Sequence, residues 1–322
     1  MKLSNLFQPA RAMRSALLAA LTLLSVGASQ AANFFFDPIT ASGTGGGTVD
    51  FGTVRGGPPH CWAIFSLSGG VTVTDAVLGA PTDYDVVGNI GIANGGTLLI
   101  DRARIGGTTY LRNGAVANIL GGATTTGGIL TNQNLPVLNA AAGAAFSAAS
   151  AASSLASNTA GGTLSISGPP IPGGVLTNGS FLDTATIGLT NVTGGGTITG
   201  LAGQTYVMNL TNLILAGNLA TLTLSGTATT NYIINVSRFM SLSGGAKIQL
   251  SGGLTEANVL YNVRNSAGFD VTMSGGSEVS GIILATNRNV KLTGDSKVFG
   301  QVVARSVSLS GSSNVINPLC SP

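Results

Sequence analysis

Histidine occurs once in these 322 residues, at His60, and cysteine twice, at Cys61 and Cys320. Charged residues make up 8% of the chain and aromatic residues 5%. Each scarcity excludes a chemistry. A serine nucleophile needs a base, and one imidazole with no Gly-x-Ser-x-Gly turn supplies no triad. Pro58-Pro59-His60-Cys61 offers too few ligands for a zinc site. The 11 acidic residues are scattered, and Asp83 with Asp85, just after Pro81, is the one pair at alternate positions. Glycan-cleaving chemistry needs clustered carboxylates and finds none. The sequence therefore reads as non-catalytic and without a cofactor.

Charge of either sign is nearly absent from the body of the chain. The formal +3 comes from the stretch that ends at Ala31, where Lys2, Arg11 and Arg14 stand with no acid. Beyond Ala31 the counts balance, and no Lys/Arg cluster remains to bind nucleic acid. The same N-terminal stretch has an apolar segment, Ala16 to Val26, too short to span a bilayer. Small residues follow at Ser29-Gln30-Ala31. The pattern predicts a signal peptide over 1–31, cleaved after Ala31, with an uncleaved anchor as the alternative. No later apolar run reaches membrane length, so no transmembrane segment is expected after cleavage. In an exported chain, the isolated pair Cys61 and Cys320 favours a disulfide, and two free thiols are the alternative. Closing so long a loop is worth on the order of 4 kcal/mol in the entropic model.

What the chain has is glycine, 48 of them, and a repeated phrase. Met240-Ser-Leu-Ser-Gly244 returns as Val271-Thr-Met-Ser-Gly275, Val290-Lys-Leu-Thr-Gly294 and Val307-Ser-Leu-Ser-Gly311. The step from Met273 to Leu292 nearly equals the step from Leu292 to Leu309. Leu222-Thr-Leu224-Ser-Gly226 reads as an earlier partial copy, one such step before Leu242. A near-fixed period of this size means stacked repeats, none of which can bury its own apolar face. Apolar and polar residues alternate within each copy, as in a strand with one buried face. Three strands and three glycine corners per repeat predict an all-β fold, a parallel β-helix (solenoid) of triangular section.

The third strand of each repeat differs. Ile282-Ile-Leu-Ala285 and Val302-Val-Ala304 are continuous apolar runs, which strands show when both faces are covered. A cover is available. From Asn134 to Asn158 the period changes to a helical one, with Leu135, Leu138, Ala141, Ala142, Ala145, Phe146, Ala149, Ala152 and Leu155 on one face. Asn134 or Asn139 could cap its start. We expect this Ala-rich helix, at about 134–158, to lie lengthwise on the apolar face. Residues 32–60 read as an irregular lead-in, and 61–322 as a single β-helix domain.

The order of parts resembles the bacterial ice-binding-like fold, and more specifically the exported choice-of-anchor A family. The phrases that carry the resemblance are Val87-Gly-Asn-Ile-Gly-Ile92, Tyr232-Ile-Ile-Asn-Val-Ser237, Asn258-Val-Leu-Tyr-Asn262, Gly281-Ile-Ile-Leu-Ala285 and Gly300-Gln-Val-Val-Ala304. The resemblance implies a right-handed solenoid whose first coil neighbours its last, which would bring Cys61 near Cys320. It also implies a secreted, extracellular or cell-envelope protein.

Three function classes follow. A non-catalytic surface or adhesion module would bind an extracellular surface, polysaccharide or matrix. An ice-binding protein would use rows of hydroxyls on a flat face. Ser241, Thr272 and Ser308 share one phase of the repeat, which Lys291 interrupts; Thr221, Thr223 and Thr227 form a second patch. A carbohydrate-active enzyme has the least support. Tyr206, Tyr232 and Tyr261 could stack on sugar but suit the core better.

Overall fold

A computed structural model describes residues 62–74, 84–133, 136–155, 196–218, 220–264 and 269–318. It also gives the backbone of strands Ile39–Thr40, Thr48–Val49, Ser165–Ser167 and Val175–Ser180. The signal segment, most of the lead-in, Cys61, Cys320, Asp83, Asn134 and Leu135 lie outside the described residues.

Among the described residues, twenty-two strands join into one sheet that winds as three ladders. Three inward files of side chains define it. Leu215, Leu242, Met273, Leu292, Leu309, Val73 and Ile100 are successive partners along one ladder. Leu222, Ile248, Val279, Val298, Val315, Val86 and Ile105 run along the second. Met208, Ile234, Tyr261, Ile283, Val302, Ile64 and Ile90 run along the third. Every one of them is buried. The alternation legible in each copy of the phrase thus becomes a continuous core, because parallel strands in register stack like on like.

The first coil stacks on the last. Ile64, Phe65 and Ser66 pair with Val302, Val303 and Ala304, and Val71 with Val307. Buried amides fasten this seam: Gln301 Nε2 and Asn317 Nδ2 both donate to the Trp62 carbonyl, at 2.7 and 2.9 Å. The seam lies within the stack, and one end of the stack is turned differently. There Ser165–Ser167 and Val175–Ser180 pair antiparallel with their neighbours.

The short period holds from Val271 onward and returns where Val86 stacks on Ile105, Ile90 on Thr109 and Thr97 on Val116. Leu242 stacks on Leu215 and on Met273, and both of those steps are well over the short one. The partial copy around Leu224 belongs to a different face, where Leu224 pairs with Leu250. These coils are longer because their corners hold extra residues, such as the 3-10 turn Glu256–Asn258. Glycine at Gly244, Gly275, Gly294 and Gly311 marks one corner throughout, with φ between 60° and 65°, a region costly for residues with a Cβ.

The helix, α1, spans Pro136–Ser154. Proline suits the first helical position, where no N–H is required. Asn139 therefore lies within the helix and does not cap it. Leu138, Ala141, Ala145, Ala148 and Ala152 are fully buried against Val207, Ile233, Leu260, Ile282, Leu284, Val303 and Phe65, as a cover for the apolar strands requires. Alanine lets the backbones approach closely. Phe146 departs from the expected buried face and is 47% exposed.

No basic residue in the last turn of α1 complements its C-terminal carbonyls. The solenoid supplies donors instead. Asn209, Asn235 and Asn262 are successive partners in one ladder and point at the helix. Their Nδ2 groups donate to the carbonyls of Leu155 at 3.1 Å, Ala152 at 2.7 Å and Ala149 at 3.1 Å. Along the ladder, Asn235 Nδ2 donates to Asn209 Oδ1 and Asn262 Nδ2 to Asn235 Oδ1, at 2.8 and 2.7 Å. Arg264 Nη1 donates to Ser153 O at 2.7 Å. Carbonyls near the C-terminal end of the helix thus gain side-chain donors from the solenoid.

Tyr206, Tyr232 and Tyr261 are core residues, at most 1% exposed. Burial pushes the Tyr261 and Tyr232 hydroxyls far above the ordinary phenolic range. In the unfolded chain these phenols ionise while in the fold they stay neutral, so stability is flat below about pH 10 and falls above it. Thermal unfolding followed from neutral to alkaline pH should show this bend, and Tyr261→Phe should soften it. An unchanged slope in the variant would place the titration elsewhere.

Candidate binding faces

Among the described residues, two of the three ladders turn a strand face outward without a helix over it. On the first, the outward file runs Ile214, Ser241, Thr272, Lys291, Ser308, Thr72, Leu99 and Asn118, each the register partner of the next. Ser241, Thr272 and Ser308 therefore do share a face, and Thr72 extends their row. Thr272 Oγ1 donates to Ser241 Oγ at 2.9 Å. A parallel file, Ser274, Thr293 and Ser310, lies beside it. Lys291 interrupts the hydroxyls and is held by Asp270 at 2.7 Å, both partly exposed. Arg288, on the same strand as Lys291, is 3% exposed, its guanidinium donating to the carbonyls of Arg238, Phe269 and Ser237. Burial lowers its pKa, and the carboxylate of Asp270 opposes that shift.

The second open face carries Thr221 and Thr223. Thr223 stacks between Thr197 and Gln249, and Gln249 Nε2 donates to its hydroxyl at 3.1 Å. Thr221 begins a charged file, Lys247, Glu278 and Lys297, ending in Asn314, with Lys247 and Glu278 paired at 3.0 Å. Thr227 is on neither face. It sits at a corner, where its hydroxyl lies 3.0 Å from that of Thr229 and 3.3 Å from that of Thr230. The candidate hydroxyls thus divide into a row of three, a pair, and a corner residue. Thr72 escapes a reading of the sequence because the first coil's place beside the last is not visible in the order of residues.

Asp85, one of the paired acids, is 7% exposed and accepts a hydrogen bond from the Arg104 backbone at 2.8 Å. That is a structural use of a carboxylate. Among the described residues no three His, Cys, Asp or Glu side chains come together as a metal site. No described helix is long and apolar enough to cross a membrane.

A family model described as an ice-binding-like adhesive domain matches residues 41–316. The chain belongs to this family. An ice-binding protein of Flammulina populicola is 36% identical over 99 residues, which are 31% of this chain and 38% of that protein. Among solved structures, an ice-binding protein from an Arctic yeast covers 80% of this chain and 90% of its own, at 20% identity and TM-score 0.45. One from Antarctomyces psychrotrophicus gives 80%, 95%, 16% and 0.46. The strand register above, and not these distant overlaps, carries the fold. Of the two resemblances seen in the sequence, the one to ice-binding-like folds agrees with the family match.

Proposed function

We propose that the chain is an exported, non-catalytic surface module that adheres to an extracellular polysaccharide or matrix through its open ladder faces. The observation that carries this reading is the row Ser241, Thr272, Lys291, Ser308 and Thr72. Ladder spacing sets its groups roughly 4.8 Å apart on a rigid surface. Hydroxyls at fixed spacing suit a hydroxylated polymer. The lysine in mid-row is a strongly hydrated point charge, which also suits polar polymer better than a flat lattice of water. Family membership supports adhesion, and the basic, apolar and small-residue order of 1–31 supports export.

Ice is the second reading, favoured by the name of the Flammulina populicola relative and by the neighbouring file Ser274, Thr293 and Ser310. A disulfide between Cys61 and Cys320 is proposed beside both. The bond from Asn317 to the Trp62 carbonyl joins the residues near each cysteine, and non-reducing peptide mapping tests it.

Ice recrystallisation and thermal hysteresis, run beside retention on immobilised polysaccharides, separate the two readings. Adhesion predicts retention with smooth ice growth. Faceted crystals would put ice first, and Lys291→Thr, which completes the hydroxyl row, should then strengthen the effect.

A further inference from the structure

The amide ladder under α1 ends beside a cleft. Asn262 is its last rung, since its register partner in the next coil is Leu284. Asn262 is 1% exposed. Its Nδ2 is turned to the Ala149 carbonyl, Ser153 Oγ and Asn235 Oδ1. Carbonyl oxygens only accept, so the amide orientation is fixed by these partners. Asn235 Oδ1 receives the next rung's amide, but the Leu284 side chain has nothing to donate to Asn262 Oδ1. Among the described residues no side chain donates to this oxygen, which is left to accept from an outside group.

Asn262 lines a cleft of about 360 Å³ between α1 and the strand segment at Thr286 and Asn287, where the ladder register shifts. That volume falls within the range of small-molecule sites, roughly 300–1,000 Å³. Thr286, 8% exposed, adds a hydroxyl to the lining. Arg264, Ser150 and Asn287 line it as well. Arg264 uses one Nη1 on Ser153 O, which leaves other donors of its guanidinium for a ligand. Phe146 stands at the mouth, the one aromatic that α1 turns toward solvent. An exposed ring beside a short set of mixed donors and acceptors, with no acid among the described lining residues, has a definite complement. It is a ring with one apolar C–H face and several hydroxyls.

We propose that this cleft is a pyranoside subsite, with Phe146 stacking on the sugar ring and Asn262 Oδ1 accepting a sugar hydroxyl. Arg264 and Asn287 donate to ring or hydroxyl oxygens at the rim. The inference deepens the adhesion reading and rests on it, since it names a ligand class for that module at a site away from the hydroxyl row.

The test is saturation-transfer NMR and calorimetry on the full chain with glucose, galactose, N-acetylglucosamine and their β-linked disaccharides. Binding at millimolar concentration or tighter is expected for at least one sugar, with transfer from the Phe146 ring. Phe146→Ala should weaken it at least tenfold and Asn287→Ala severalfold. Both side chains are exposed, so unfolding midpoints should stay unchanged. No binding to any of these sugars, or binding indifferent to Phe146→Ala, overturns the subsite. If the chain is retained on polysaccharide regardless of Phe146→Ala, adhesion stands and the cleft proposal falls. If the cleft binds sugar but the chain is not retained, the adhesion reading fails and the cleft remains.

Discussion

A strand that is apolar on both sides needs a cover on each. The strands centred on Ile233, Leu260, Ile282 and Val303 have the coil interior on one side and α1 on the other. The rest of the structure depends on this arrangement. Without the helix, a row of large apolar side chains would face water along the solenoid. Without the strands, a helix rich in alanine and free of terminal charges would have only its propensity to sustain it, which for this length is marginal. The asparagine ladder then fixes the register between the two. Each amide meets a helix carbonyl, so a slip of the helix would leave both sides unsatisfied.

The same arrangement leaves the other two ladders for contact with the outside. Their outward residues are held at strand spacing by a core that runs without a break from the coil at Leu215 to the one at Ile100. Rigidity of this kind limits the entropy lost on binding an extended or solid ligand. Charges on these faces are partly neutralised in place, Lys291 by Asp270 and Lys247 by Glu278.

Much of the fold is legible in the sequence because it rests on short-range pattern. The alternation in Val271-Thr-Met-Ser, the glycine at Gly275 and the continuous run at Ile282 each report their own environment. The helix shows in the change of period, although Phe146 fits the apolar stripe by spacing and still faces outward. What is not legible depends on stacking at a distance. Leu224 looks like a repeat of Leu242, yet each belongs to a different ladder, because corner length and not strand pattern decides which face a phrase reaches. Thr72 joins Ser308 only through the seam between first and last coils. Asn209, Asn235 and Asn262 stand farther apart than the short period, in the coils with longer corners, and so give no signal as a ladder.

The most direct measurement is the unfolding free energy of Asn235→Ala against the parent chain in denaturant, followed by both the helical signal and Trp62 fluorescence. The account predicts one shared transition for the two probes. It predicts a loss of roughly 2–3 kcal/mol, since the central rung leaves the Ala152 carbonyl, Asn209 Oδ1 and the Asn262 amide short of partners. A variant as stable as the parent, or a helix that melts well before the tryptophan signal changes, would contradict it.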